Sequence, residues 1–437
     1  MNEYNERNAE IEVSFRDLVP NLNKNDRYTH LIHPYPAKLI AHIPFFFLNN
    51  DIFSKKGDII LDPFAGSGTV LLESLISERN SIGSDSNPLA RLISKVKTTR
   101  LSPNLLLENL AFIEREFSFQ NQEFVPKLKN IDYWFSPNVK KQLGRLFSTI
   151  QKINHDQHRE FFLICFSNCI KKVSYADSRV SVPVKINLER HKPNSRLYIE
   201  VSQKIKNLES INIYEKFKEV CLANIKRINS LEHLSSLTTS AIVSKDARKI
   251  TRSLEDNELI DDNSIDLIIT SPPYAGAQKY IRSSSLNLAW LNEIEDNNSL
   301  KLLDSKNIGR ENYKKIEYCT LKKTGIEKAD DLLEKIFRTN PTRSFIAANY
   351  LLEMRDVFTE MHRVLKHGKY FILVIGNNNV CGYEFNTQLY LTEMLESLGF
   401  KVVLKLIDDI KSFGLMTKRN KTADLISREW IIVLQKK

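Results

Sequence analysis

The 437 residues include 63 Lys and Arg against 53 Asp and Glu, a net charge of +10, with 42% hydrophobic and 27% charged residues. That length suggests two to four folding units, and the composition excludes a disordered, collagen-like or disulfide-scaffold protein. The positive balance favours a polyanionic partner, but only weakly.

The N-terminal stretch Met1 to Glu10 is polar and acidic, so no signal peptide is expected. The apolar run Ile43 to Leu48 is far too short to span a membrane, and a cytoplasmic location follows by default. His33 and His42 flank the segment Pro34 to Ile43 without a third ligand at a fitting spacing, so both read as cap or core histidines. Lys38 is a lesser candidate for contact with a ligand.

The clearest local signal is GDIILDPFAGSGTV at 57–70. Ile59 to Leu61 form a short buried strand, Asp62-Pro63 ends it, a Gly-Ser-Gly turn follows, and Thr69 to Ser77 reads as a helix. Ser81 to Ser84 is the next strand, ending at Asp85. Residues 101–240 look helical. Strand signals return at 240–244 and 264–269. The run 363–376 reads as helix end, glycine turn and buried strand. Strands at 401–407 and 429–434 close the chain, joined by a basic loop with Lys411, Lys418, Arg419 and Lys421. Strands alternating with helices imply an α/β fold with a doubly wound, mostly parallel sheet. The stretches 101–240 and 275–345 lack that rhythm and read as insertions at the C-terminal edge of the sheet. Cys165, Cys169, Cys221, Cys319 and Cys381 are too scattered for a disulfide framework.

Two motifs carry chemistry. In Asp62-Pro63-Phe64-Ala65-Gly66-Ser67-Gly68-Thr69, glycine lets a ligand approach the backbone where a Cβ would collide, and the helix N-terminus offers unpaired N–H groups. Asp85, 17 residues beyond Gly68, fits an acid that holds ribose hydroxyls. No G-K-[ST] follows, and Leu71 stands where a third glycine would complete the dinucleotide fingerprint, which argues against ATP and NAD. The second motif is Thr270-Ser271-Pro272-Pro273-Tyr274. Two prolines stiffen a strand-end loop and remove donors. Ser271 adds a hydroxyl and Tyr274 an aromatic face, which together suit a planar ring bearing an exocyclic amine. Alone, such a loop is as readily a strand-ending turn with a packed tyrosine.

Together, DPFAGSGT and TSPPY resemble the S-adenosylmethionine-dependent amino-methyltransferases of DNA. Residues 30–44, HLIHPYPAKLIAHIP, resemble the segment preceding the glycine loop in a restriction–modification subgroup, and 82–90, IGSDSNPLA, the second-strand acid. Residues 244–274, 130–143 and 170–184 and the run RVLKHGKYFILVIG are also similar to that group. The resemblance implies a Rossmann-like class I methyltransferase sheet. Its catalytic part would be 1–100, 241–274 and 346–437, with 101–240 a helical, basic candidate target-recognition insertion and 275–345 a second insertion.

It implies S-adenosyl-L-methionine bound by Asp62, Phe64, Ala65, Gly66, Ser67, Gly68, Thr69, Asp85, Ser86, Asp246 and Ala247, with Asp246 at the cofactor's adenine amine. Ser271, Pro272, Pro273 and Tyr274 would hold a base flipped out of duplex DNA. No metal is implied. No cysteine follows a proline, so 5-methylcytosine chemistry is not expected. Ser at the first loop position leans towards N4 of cytosine over N6 of adenine. A functional partnership with a restriction endonuclease is implied as well. The stretch 171–206 holds nine basic residues against three acids. From it Lys171, Lys172, Arg179, Lys185 and Arg190 are DNA-contact candidates, with Lys279 and Arg282 from the second insertion. A transfer-RNA guanine-N2 methyltransferase and a non-catalytic nucleic-acid binder on the same scaffold stay open as rival readings.

Overall fold

The computed structural model describes residues 1–7, 9–22, 27–36, 38–177, 179–276, 279–410 and 428–437. The basic loop expected around Lys411 to Lys421 lies outside them. Ten strands are present among the described residues: β1 (Ile11–Val13), β2 (Ile59–Asp62), β3 (Asn80–Ser84), β4 (Ser240–Ser244), β5 (Ile265–Thr270), β6 (Leu365–Ile375), β7 (Asn378–Val380), β8 (Tyr383–Phe385), β9 (Phe400–Asp409) and β10 (Arg428–Lys436). Eight of them form one sheet in the order β1-β9-β10-β6-β5-β2-β3-β4. All neighbouring pairs are parallel except those of β10, which runs against β6 and β9.

This is the expected α/β doubly wound sheet. All six residues of β5 are buried, which a central strand covered on both faces requires. From β2 the chain builds outward through β3 and β4, then returns to lay β5 on the other side of β2. The direction of winding therefore reverses between β2 and β5, and a crevice opens beyond their C-terminal ends. The register Ile60↔Leu267 and Leu61↔Ile268 brings Asp62 level with the end of β5.

Local sequence sets the helix starts. Proline opens the helices Pro88–Thr98, Pro103–Phe119, Pro137–Ile150 and Pro341–Val364, where its missing N–H costs nothing. The side chains of Asn87, Ser136 and Asn340 cap three of them.

Three details depart from the sequence reading. β1 and the hairpin β7–β8 were not anticipated, being three-residue strands without a periodic signal. The glycine turn expected before the fifth strand is absorbed into β6: Gly368 takes φ +73° inside the strand, and the register with β5 slips there, as in a bulge. The boundary placed at residue 346 falls inside the continuous helix Pro341–Val364.

The insertion 101–240 is helical as expected, with helices Pro103–Phe119, Pro137–Ile150, Asp156–Ile170, Arg196–Ser210 and Ile213–Asn229. It is no separate lobe. Leu106, Leu146, Phe166 and Phe217 share one apolar core with Leu72, Leu89 and Ile93 of the sheet-flanking helices and with Trp290 of the second insertion. Buried polar contacts pin the same junction. His33 Nε2 lies 3.1 Å from Ser167 Oγ, and Asn287 donates to the same oxygen at 2.8 Å. Burial lowers the His33 imidazole to about 3, so it is a neutral core histidine.

Candidate active site

The end of β2 carries the glycine loop. Asp62 is 4% exposed, and burial pushes its carboxyl up to about 7 against the pull of two hydrogen bonds. The two donors are the Thr270 hydroxyl, at 2.6 Å, and the Phe64 N–H, at 3.1 Å. The two glycines do different work. A Cβ on Gly68 would meet Ser94 at 2.9–3.0 Å, so this residue, at φ +72°, lets the helix behind the loop pack closely. A Cβ on Gly66, at φ +51°, would find its nearest side chain at 3.7 Å, on Tyr35. The space beside the Gly66 backbone is thus not filled by the protein's own atoms at close range.

Asp85, at the end of β3, binds that loop. One carboxylate oxygen accepts the Gly66 N–H at 2.9 Å and the other the Asn87 N–H at 2.8 Å. Burial raises its pKa while these bonds lower it. Each oxygen keeps a further lone pair for a hydroxyl. Beyond β4, Asp246 is gripped by Arg248, whose Nε and Nη2 each donate at 2.9 Å. Its side chain is still 41% exposed, so it can accept from a ligand as well.

The loop after β5 places Ser271 and Pro273 towards the same space. A single cleft beyond the β2 and β5 ends, about 670 Å³ with its mouth included, is lined by Phe64, Gly66, Asp85, Ser86, Asp246, Ala247, Ser271 and Pro273 from both motifs. Asp62, Ala65, Ser67, Gly68 and Thr69 do not line it. They are buried beneath, holding the loop rather than facing the cleft. Pro272 is buried as well.

Tyr274 differs from expectation. It presents no open aromatic face: it is 9% exposed within the apolar core beside Tyr350, and its hydroxyl donates to Glu429 Oε1 at 3.3 Å. Burial first, then the Glu429 charge, raise its pKa.

The sequence reading missed part of the lining. Tyr35 stands over the glycine loop and its hydroxyl accepts from Asn87 Nδ2 at 3.2 Å. It lies within the quoted HPYPAK segment, which was the available signal. Lys245 and Asn87 adjoin assigned acids. Tyr280, Lys306, Asn307 and Ile308 come from the second insertion and carried no motif.

The basic candidates divide. Lys171 donates to the carbonyls of Val180 and Ser181, Arg179 forms a two-pronged pair with Asp177, and the Lys185 ammonium sits 4.2 Å over the Tyr133 ring. Lys171 and Arg179 thus bond within the segment 171–185, and Lys185 ties it to Tyr133. Lys279 pairs with Glu311 at 3.3 Å. Lys172, Arg190 and Arg282 are exposed. Among the described residues no helix is long and apolar enough to cross a membrane.

Known proteins resemble this chain in sequence. Residues 16–95 match the DNA methylase family model N6_N4_Mtase. The chain is 26% identical over 398 residues to Type II methyltransferase M.MvaI of Kocuria varians, spanning 86% of this chain and 83% of that protein. It is 23% identical over 432 residues to M.BsoBI of Geobacillus stearothermophilus, spanning 87% and 79%. Among solved structures, a SAM-dependent methyltransferase of Methanosarcina mazei covers 88% of this chain and 94% of its own, at 10% identity and a TM-score of 0.31, too low to compare sites. The N-terminal part of the chain thus carries the DNA methylase model, and similarity to Type II methyltransferases extends over more than four-fifths of its length.

Proposed function

We propose that the protein is a sequence-specific DNA methyltransferase that moves the methyl group of S-adenosyl-L-methionine to an exocyclic amine of a base flipped out of duplex DNA, N4 of cytosine in preference to N6 of adenine. The observation that carries this reading is the meeting of the two motif loops in one cleft at the reversal point of the sheet, with Gly66 and Asp85 on one side and Ser271 and Pro273 on the other. The residues fit the methyl donor. The open backbone at Gly66 gives room for its main chain, Asp85 has lone pairs for ribose hydroxyls, and Asp246 can accept from an adenine amine.

A sulfonium methyl needs little activation; the amine is the difficulty, because its lone pair is delocalised into the ring. In this reading Ser271 Oγ and the Pro272 carbonyl accept the two N–H bonds. That draws the nitrogen towards tetrahedral geometry and frees its lone pair. The acceptors stand in place beforehand, so little reorganisation is needed. With the donor held there, the nitrogen–carbon bond would form as the carbon–sulfur bond breaks, the donor would leave as a thioether, and the proton shed by the amine would pass to solvent. Holding nitrogen, carbon and sulfur in line, with the reacting atoms ~3 Å apart, supplies much of the rest. For Tyr274 to stack on the flipped base, its ring must first come out from under its neighbours.

The preference for cytosine rests on Ser271 at the first loop position, and a partnership with a restriction endonuclease on the similarity to Type II enzymes. The test is incubation with labelled S-adenosylmethionine and either duplex DNA or RNA, followed by chromatography of the nucleosides. N4-methylcytosine in DNA supports the full reading. N6-methyladenine overturns the base assignment alone. Label only in RNA, or none anywhere, overturns the proposal.

A further inference from the structure

Five consecutive residues of the second insertion, Asn307-Ile308-Gly309-Arg310-Glu311, lie at the edge of the cleft and make contacts that reach the loops around it. Asn307 Oδ1 accepts from the Ser86 hydroxyl at 2.6 Å, on the loop after β3. Its amide nitrogen donates back to the Leu303 carbonyl at 3.0 Å, which fixes its orientation at the end of the helix Asn297–Ser305. Ile308 lines the cleft. The Gly309 carbonyl accepts from the Gly276 N–H at 3.1 Å, just past the catalytic loop. Gly309 itself takes φ +75°, and a Cβ there would lie 3.0 Å from the Tyr274 carbonyl oxygen. Arg310 donates to Glu353 Oε1 at 2.6 Å, and the same oxygen lies 3.9 Å from Arg248, which holds Asp246. Glu311 accepts from Arg343 at 2.8 Å and pairs with Lys279 at 3.3 Å.

One short segment therefore touches the loops after β3 and β5 directly and the loop after β4 through a charged chain. We infer that Asn307–Glu311 is a clasp that sets these three loops relative to one another: Asn307 and Arg310 tune the hold on the methyl donor, and Gly309 sets the pose of the catalytic loop. This gives the second insertion a direct part in building the active site, apart from any part in reading DNA. It rests on the function proposed above and deepens it. Asn307, as part of the cleft wall, borders the donor; Gly309 and Arg310 are positioning residues, acting through Tyr274 and Asp246.

The inference predicts a split between binding and turnover. In the full-length protein, Asn307→Ala should raise the donor Kd, measured calorimetrically without DNA, by roughly 2- to 10-fold, the loss expected for one hydrogen bond. Arg310→Met should raise the donor Kd in the same direction, and Arg310→Lys should recover part of it. Gly309→Ala should lower kcat by roughly tenfold or more, since small misplacements of reacting groups are costly, while the donor Kd stays near that of the parent. Should Gly309→Ala fail to fold, the Asn307 and Arg310 variants decide the question alone. Two results overturn the clasp: an unchanged donor Kd in both Asn307→Ala and Arg310→Met, or a fall in kcat and affinity that only tracks a lowered melting temperature. Failure of the unaltered protein to bind donor at all is a different result, and it removes the proposed function itself.

Discussion

The Thr270 hydroxyl donates to Asp62 Oδ1 at 2.6 Å, joining the ends of β5 and β2 across 208 residues of chain. Both partners are buried, so the bond ties the loop after β5 to the glycine loop at the place where the sheet changes its direction of winding. Thr270→Val keeps the shape and removes the donor, leaving a buried carboxylate oxygen short of a partner. A loss of roughly 1–3 kcal/mol in unfolding free energy is expected, with Thr270→Ser nearly neutral. Urea titrations of the two variants test this, and equal stability of the Val and Ser forms would contradict it.

The same carboxyl should make stability depend on pH. In the folded protein Asp62 sits at about 7, against 3.8 when free. Because the folded form holds its proton more tightly, the contribution is complete below pH 3.8 and is lost as pH rises through about 7. Across that window the group alone lowers stability by up to ~1.4 kcal/mol per pH unit. Asp62→Asn removes the titration and keeps an acceptor for Thr270. Its melting temperature should therefore fall less than the parent's between about pH 5 and pH 8, and parallel curves would show that the burial penalty is relieved in some other way.

Tyr274 offers a separable pair of variants. Tyr274→Phe loses only the bond to Glu429 and should keep donor affinity and most base binding. Tyr274→Ala removes the ring, so it should weaken binding of a duplex with a mismatched target base, which costs less to flip, far more than donor binding. If Tyr274→Ala lost donor binding and kept base binding, the assigned role would be reversed.

For the basic residues, neutralising the exposed Arg190 or Lys172 should reduce the salt dependence of DNA binding, by a slope of about 0.9 for each phosphate no longer neutralised. Neutralising Lys171 should instead loosen the segment whose carbonyls it holds, lowering the melting temperature with little change in that slope. Fluorescence anisotropy over a salt series, paired with thermal melts, separates the two classes. A common effect in all three variants would erase the division.

How much could be read beforehand depended on the range of the interactions. The strands at 59–62, 240–244 and 265–270 were legible as short apolar runs, and 80–84, where Ile82 is the one large apolar residue, from its place between the glycine-loop helix and Asp85. Gly66, Asp85, Ser271 and Pro273 were legible because their motif spacing is local. Tyr274 was named, but its burial against Glu429 was not foreseeable, since the two lie 155 residues apart. The contacts made by Lys171, Arg179 and Lys185 were hidden too: composition counts a charge without saying whether its head group already has a partner in the chain.

By itself, then, the sequence determined the strand–glycine-turn–helix unit, the acid that ends the next strand and the proline-stiffened loop, each governed by backbone sterics and periodicity within some thirty residues. Tertiary structure alone decided that β5 lies against β2, that β1 extends the far edge, and that Asn307 to Glu311 reach the site. Those outcomes come from packing and hydrogen bonds between residues far apart in the chain, where no local propensity favours one partner over another.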